Sequence, residues 1–323
     1  MRVELPVKTT HIRQLDIRRD LLPVADLIEL CFASTLDADG REYLRQIRRA
    51  AVDPAYLRWV PGALERVSQP LFGYIWEQDR RIVGNLSLIP IYKYNRWIYL
   101  IANVAVHPDY RHNGIARELT QRALEHIREH GVSSAWLQVR DDNPAAHHLY
   151  RATGFVERSR RTTWVNQYNP PAPVLDGISI TSRRSSDWEQ QLAWLKSTYP
   201  PESTWNMPFE PERFNPGFWV QLWRWFNGEA QEHWVARRDN PSRPLGYATW
   251  EPQRALSDLI YIAAPQETED DAIRALLPEA ARFLSSRRTN LNVNYPAGRA
   301  TRAFNDCGFT MLNTLIWMER RLS

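Results

Sequence analysis

The sequence predicts an α/β (α+β) fold of two tandem lobes, each a mixed central sheet flanked by helices. Three observations carry that expectation. Short strands and helices alternate through the first half of the chain, the pattern that builds a sheet covered by helices. At residues 98–127 a β-branched apolar run gives way, across a short polar loop, to a helical period. Past a proline-rich spacer the chain repeats itself, so two copies of one unit are expected. A length of 323 residues is ample for two domains, which the spacer places at 1–169 and 174–323.

In chain order, Thr9 to Leu15 reads as a strand. Asp20 stands where it can cap a helix with Pro23 in its first turn and Val24, Leu27, Ile28 and Cys31 on one face. Arg41 to Ala51 reads as a second, basic helix. Phe72–Glu77 and Arg81–Leu88 form a hairpin around Gln78, Asp79 and Arg80, and Pro90 is expected to break its second strand. Ile98 to Val106 is a buried strand that Pro108 ends. From Ile115 the period changes: Ile115, Leu119, Ala123, Leu124 and Ile127 share one helical face. Ala135 to Arg140 is a further strand, followed by a closing helix.

Asn169-Pro-Pro-Ala-Pro173 is a stiff, extended spacer. Beyond it Leu291, Val293, Gly308 and Phe309 stand 154 residues after Leu137, Val139, Gly154 and Phe155. Ala300 and Phe304 match Ala146 and Tyr150 at the same offset. Pro265, Arg274 and Leu276 stand 157 residues after Pro108, Arg117 and Leu119. Ser186 to Glu189 reads as a capping box opening a helix with Trp188, Leu192, Leu195 and Tyr199 on one side. His233–Arg237 and Leu245–Trp250 repeat the hairpin.

The loop between strand and helix in the first lobe is Arg111-His-Asn-Gly-Ile-Ala116. A loop that opens a helix offers free N–H groups and the positive end of the helix dipole, which together hold an anion. Gly114 allows close backbone approach, and Arg111 and Arg117 add charge. Arg-x-x-Gly-x-Ala in this setting resembles the pyrophosphate loop of the GNAT superfamily of acyl-CoA N-acyltransferases. The sequel Asn143-Pro-Ala-Ala-His-His-Leu-Tyr150-Arg-Ala-Thr-Gly154-Phe155 is similar to the closing helix and strand of the same superfamily. At the 157-residue offset the second lobe has Thr268, Asp271 and Ile273 in place of Arg111, Gly114 and Ala116, with Glu267, Glu269 and Asp270 alongside. Carboxylates suit a helix N-terminus but repel a polyphosphate, so the second lobe is expected not to bind one.

The resemblance implies acetyl-CoA as cosubstrate, with no metal, and transfer of its acetyl group to a primary amine by direct attack. It implies that the amides of His112, Asn113, Gly114, Ile115, Ala116 and Arg117, with the charge of Arg111 and Arg117, take the pyrophosphate. It further implies that the backbone of Val104, Ala105 and Val106 pairs with the pantetheine arm where the sheet splays, and that Asn143 touches that arm. By the residues alone, Val104 and Val106 serve equally as core strand. Tyr150 is the candidate acid, since the leaving thiolate needs a proton that a nearby phenol supplies. The competing reading of Tyr150 is an aromatic packed on the core. The family's glutamate positions carry Gln138 and Asn103 here, which cannot act as bases, and Glu77, Asp37, Asp39, Asp53 or a water chain remain as alternatives. A catalytic first lobe with a structural or acceptor-shaping second lobe is the expected function. A non-catalytic acyl-CoA-binding regulatory protein is the alternative.

Other features bound the partners. Forty-one basic against 37 acidic residues give a net charge of only +4, dispersed rather than in a stripe, which argues against nucleic acid. No apolar run reaches membrane-spanning length, and residues 1–20 lack the apolar core of a signal peptide. Cys31 and Cys307 suggest no disulfide framework, and a reducing cytoplasm is the expected compartment. The amine acceptor and the oligomeric state are not legible. His126 and His130 lie one turn apart but have no third ligand in step, so a solvated face is expected instead of a metal pair. Phe218 to Phe226 reads as an aromatic helix for core packing or for walling the acceptor pocket.

Overall fold

The computed structural model describes residues 11–36, 38–53, 72–93, 95–166, 175–205, 207, 209–217, 230–239, 242–252, 257–285 and 290–322. The spacer and the Phe218–Phe226 segment lie outside the described residues. The chain divides into two compact units.

The first unit comprises Met1–Val139, Asn143–Val156 and Met318–Ser323. Its elements are β1 (Ile12–Gln14), α1 (Leu21–Phe32), α2 (Ala38–Val52), β2 (Gly73–Gln78), β3 (Arg81–Lys93), β4 (Arg96–Val106), α3 (Ile115–Glu129), β5 (Ser134–Arg140, through Val139) and α4 (Pro144–Ala152). The strands stand in the order β1-β2-β3-β4-β5. Pairing is antiparallel up to β4, and β4 and β5 are parallel with α3 as the crossover. A two-residue turn, Asp79 and Arg80, both at positive φ, joins β2 to β3, as a primed hairpin turn requires. Leu15, Leu21, Val24, Ile28, Leu44, Ile47 and Ile75 form a core beneath α1 and α2.

Two local expectations are corrected here. Asp20 makes no side-chain cap on α1, because its carboxylate binds Arg13 (2.6 and 2.9 Å) and the Asp16 N–H (2.7 Å). Pro90 does not break β3, which runs on to Lys93 with Pro90 opposite Tyr99. The Leu88 N–H is the last toward β2, bonding Phe72 O. Two residues further the missing N–H of proline faces the same side, so it costs no ladder bond to the described residues of β2.

The second unit comprises Arg140–Asp142 and Glu157–Trp317. It holds β6 (Val156–Asn166), β7 (Ile178–Ser182), α5 (Trp188–Thr198), β8 (Glu232–Asp239), β9 (Ser242–Glu251), β10 (Ser257–Ala263), α6 (Glu269–Phe283), β11 (Asn290–Pro296), α7 (Thr301–Asp306) and β12 (Phe309–Arg321, to Trp317). The strand order is β12-β6-β11-β10-β9-β8-β7. The meander of the first unit recurs, again with a parallel last pair, β10 and β11, and a helical crossover, α6. The repeat extends to packing. Tyr150 meets Phe155 edge-on at 6.0 Å and 68°, and Phe304 meets Phe309 at 6.3 Å and 66°. The expected Ser186–Glu189 box is displaced: Asp187 caps the Arg184 N–H (2.7 Å) and pairs with buried Arg237 (2.6 Å).

The units do not follow the boundary expected at 169–174. The chain belongs to the second unit from Glu157 onward: Arg161–Val165 of β6 pair with β11, and Trp164 stacks on Phe304 at 4.7 Å in the second core. Conversely Met318–Ser323 completes the first unit, where Glu319 accepts from Ser134 Oγ (2.8 Å) and the Leu322 N–H bonds Ser133 O (2.8 Å). The two halves of the sequence have exchanged their closing strand segments.

Candidate functional site

β4 leads into the site and carries its main irregularity. Asn85 lies opposite Ala105 and Ser87 opposite Ala102, so Asn103 and Val104 together face the single residue Leu86. That is a β-bulge, and Asn103 takes φ of +51° in it. Pairing of β4 with β5 runs from Tyr99↔Ala135 to Ile101↔Leu137. Beyond Ile101 the two strands part, leaving the β5-side backbone edge of Val104, Ala105 and Val106 open to a partner. Ala105 is buried and both valines are half-buried, so this segment is core and open edge at once. The Val106 carbonyl is already in use, accepting from the Cys31 thiol (3.2 Å) and from Arg111 Nε (3.3 Å). Burial pushes the Cys31 thiol up, and Arg111 opposes this.

After Val106 a single 3₁₀ turn at Pro108–Tyr110 reverses the chain, and His112 and Gly114 both adopt positive φ (65° and 80°). Gly114 is the cap of α3 and offers no side-chain bond to the first turn. A Cβ built on it meets nothing within 4 Å, so the space over the loop is open. The first amide taken up by the helix is that of Glu118, by Gly114 O (3.0 Å). The amides of Ile115, Ala116 and Arg117 precede it and have no intrahelical partner. Exposed Arg117 makes no ion pair among the described residues. Helix and sheet are held close by Gly84 of β3, where a Cβ would stand 2.8 Å from Ile115 Cγ2 and 3.1 Å from Leu119 Cδ1. The loop thus presents amides, dipole and one free cation, which is the chemistry of a phosphate site.

Asn143 uses its Oδ1 to cap α4, accepting from the Ala146 N–H (3.1 Å). Tyr150 is 6% exposed and forms no side-chain hydrogen bond among the described residues. Burial raises its phenol above the ordinary value, so it stays protonated at neutral pH. Gln138 is half-buried. Glu77 binds Arg13 Nε (2.6 Å) in a cavity of about 410 Å³ lined by Arg13, Arg19, Asp20, Arg80 and Arg81, an ion-paired setting unsuited to a base. The side chains of Asp37 and Asp39 lie outside the described residues, and Asp53 is exposed at the end of α2.

His126 corrects a sequence expectation. It is buried (8% exposed), with Nδ1 3.1 Å from the Tyr74 hydroxyl and rings of Phe72 and Tyr99 around it. Its place seven residues after Leu119 puts it on the sheet-facing stripe, and no metal-holding group occurs among the described residues.

The second unit has closed the equivalent place. From Val106 to the cap Gly114 is eight residues, but from Ala263 to the cap Thr268 only five. The loop is shorter because α6 begins one turn earlier: the buried stripe Ile115, Leu119, Ala123 of α3 is matched by Ala272, Leu276, Ala280, so the 157-residue match runs through loop and helix. Glu269, Asp270 and Asp271 occupy the first turn. β10 and β11 part after Leu259↔Asn292, and the gap is filled from within. The Ile262 N–H, counterpart of Ala105, donates to the Tyr199 hydroxyl (3.1 Å). Arg161 lies 4.8 Å over the Tyr199 ring and donates to Thr198 O (2.8 Å) and Asn294 O (2.9 Å), its guanidinium lowered to about 10 by burial.

A helix-capping anion loop at the end of a bulged strand that parts from its parallel neighbour defines an acyl-CoA N-acyltransferase type of domain. Residues 32–155 match the Acetyltransferase (GNAT) family. Over 62 residues, 19% of the chain, it is 39% identical to the [ribosomal protein bS18]-alanine N-acetyltransferase of Escherichia coli K12. Over 75 residues, 23% of the chain, it is 35% identical to streptothricin acetyltransferase of Streptomyces lavendulae. These matches span 42% and 40% of the relatives' own lengths. A GCN5-related N-acetyltransferase from Sphaerobacter thermophilus shares the fold over 96% of both chains, with a TM-score of 0.58 at 14% identity.

Proposed function

We propose that the protein is an N-acetyltransferase that moves the acetyl group of acetyl-CoA to a primary amine, with the first unit catalytic. The observation that carries this is the open Gly114-capped loop at the end of the parted β4 edge, set against its shortened, acidic and filled counterpart in the second unit. The Ile115–Arg117 amides and Arg117 suit the pyrophosphate, and the Val104–Ala105 edge suits the amide-bearing arm. The amine attacks the thioester carbonyl, the C–S bond breaks, the nitrogen gives up a proton to water, and the thiolate takes one. Tyr150 is protonated, buried and without a competing bond among the described residues, which suits that donation. A phenol is a weaker acid than a thiol, so its share is a hydrogen bond to the departing sulfur that completes as the thiolate leaves.

The second reading, a non-catalytic acyl-CoA-binding regulator, is favoured by the ion-paired state of Glu77 and the amides at Asn103 and Gln138. One experiment separates the two. Acetyl-CoA is incubated with the full chain and an amine panel that includes an alanyl-N-terminal peptide and streptothricin, and free thiol is read. Amine-dependent thiol release supports the enzyme. Calorimetric binding of acetyl-CoA with no release across the panel supports the regulator, and absence of binding overturns both.

A further inference from the structure

Three elements converge on one strained residue. Asn103 of β4 holds φ of +51°, a conformation that asparagine tolerates better than most residues but that no regular strand contains. Its Nδ2 donates to the Tyr43 hydroxyl of α2 (2.7 Å) and more weakly to Ser87 Oγ of β3 (3.4 Å). Its own carbonyl accepts from Asn85 Nδ2 of β3 (2.9 Å). Asn85 and Ser87 are fully buried. Asn85 Oδ1 has no hydrogen-bond partner among the described residues, so this asparagine leaves a buried acceptor unsatisfied while its other end grips the bulge. A leucine there would avoid that cost. The arrangement is legible only as a clamp on Asn103. What the clamp controls follows directly, because inserting one residue reverses the direction of every peptide group after it. The residues after it are Val104 and Ala105, at the point where β4 leaves β5.

We propose that Tyr43 and Asn85 are positioning residues that lock Asn103 in its left-handed conformation and so aim the Val104–Ala105 backbone at the thioester arm of acyl-CoA. The inference rests on the acyl-CoA reading above. It assigns Asn103 no contact with the ligand; the residue acts through its φ.

The full-length chain and acetyl-CoA test it by calorimetry below the melting temperature of every variant. Asn103→Ala and Asn103→Gly both delete the amide, but only glycine adopts the same φ without strain. Asn103→Ala is expected to weaken acetyl-CoA binding at least about fivefold, Asn103→Gly to restore most of that loss, and Tyr43→Phe to weaken it by about threefold. Tyr43→Phe added to Asn103→Gly should cost nothing further, since the clamp then has nothing to hold. Equal losses in the alanine and glycine variants would overturn the proposal in favour of direct side-chain contact. Unchanged affinity in Asn103→Ala and Tyr43→Phe would overturn it in favour of a purely structural clamp, with melting temperature the only quantity moved. Both outcomes presuppose a binding wild type, so they leave the acyl-CoA reading intact. A wild type that binds no acetyl-CoA ends that reading and this one together.

Discussion

At the scale of single residues the catalytic candidate Tyr150 and the buried core residue His126 make separable predictions. Tyr150→Phe deletes one hydroxyl that bonds nothing among the described residues, so packing against Phe155 and acetyl-CoA affinity should survive. If the phenol serves the leaving thiolate, kcat falls by ~10²-fold or more with KM for acetyl-CoA unchanged. Wild-type turnover in steady-state assays would return Tyr150 to core packing. His126 predicts a pH effect. Burial, then His130 and Arg122, hold its pKa below the ordinary 6.5. The unfolded chain therefore binds the proton more readily than the fold. Stability from this residue is complete above the unfolded value and is lost as pH falls toward the folded one. Melting temperature should drop between pH 7.5 and 5.5, and His126→Phe should flatten that drop by roughly 2–4 °C for each kcal/mol of linkage removed. An identical slope in the variant would refute the assignment. The residue types of the loop, Arg111 to Arg117, were readable because anion binding at a helix start needs a glycine and cations close in sequence. Tyr43, Asn85 and Ser87 were not, because they matter only through contacts 16 to 60 residues away along the chain.

At the scale of elements, β4 and its two helices do the positioning, and the closing strands decide whether the units stand. β3 outruns β2, which lets Pro90 sit in a strand, and Gly84 lets α3 press on the sheet so that its N-terminus is aimed at the end of β4. The exchange of closing segments has a direct consequence. Deleting Met318–Ser323 removes no part of the first half of the sequence, yet it should destabilise the first unit. The Ser134–Glu319 bond is buried and charge-assisted, worth about 1.5–3 kcal/mol by itself. Hydrogen exchange should show lost protection at β5, and acetyl-CoA affinity should fall with it. Protection at β5 equal to that of the full chain would show that the exchanged segment is dispensable. For the same reason a chain cut at Asn169 lacks part of the first unit and carries β6 without β11, so its failure to fold would be no evidence about catalysis.

At the scale of the whole molecule one ligand per chain is expected. The second unit has a loop three residues shorter, three carboxylates in the first turn of α6, and Tyr199 and Arg161 in the gap between its parallel strands. Calorimetry should therefore give a stoichiometry of one acetyl-CoA, and Gly114→Asp or Arg117→Glu should weaken it at least tenfold, about 1.4 kcal/mol. A stoichiometry of two, or a residual site in Gly114→Asp with wild-type affinity, would contradict the filled gap.

The sequence by itself determined the strand–loop–helix of the first unit, the closing helix with Tyr150, the tandem repeat and the acidic start of the second unit's crossover helix. Each of these is local, a matter of side-chain period, glycine and charge within a few residues. Even the histidine on the buried stripe of α3 was there to be read by its spacing. Only the tertiary structure decided which half owns each closing strand, that Asn103 forms a bulge, and that the second cleft is filled by Tyr199 and Arg161. Strand pairing and burial are settled between residues far apart in the chain, and an alternating strand carries the same pattern whichever neighbour it joins.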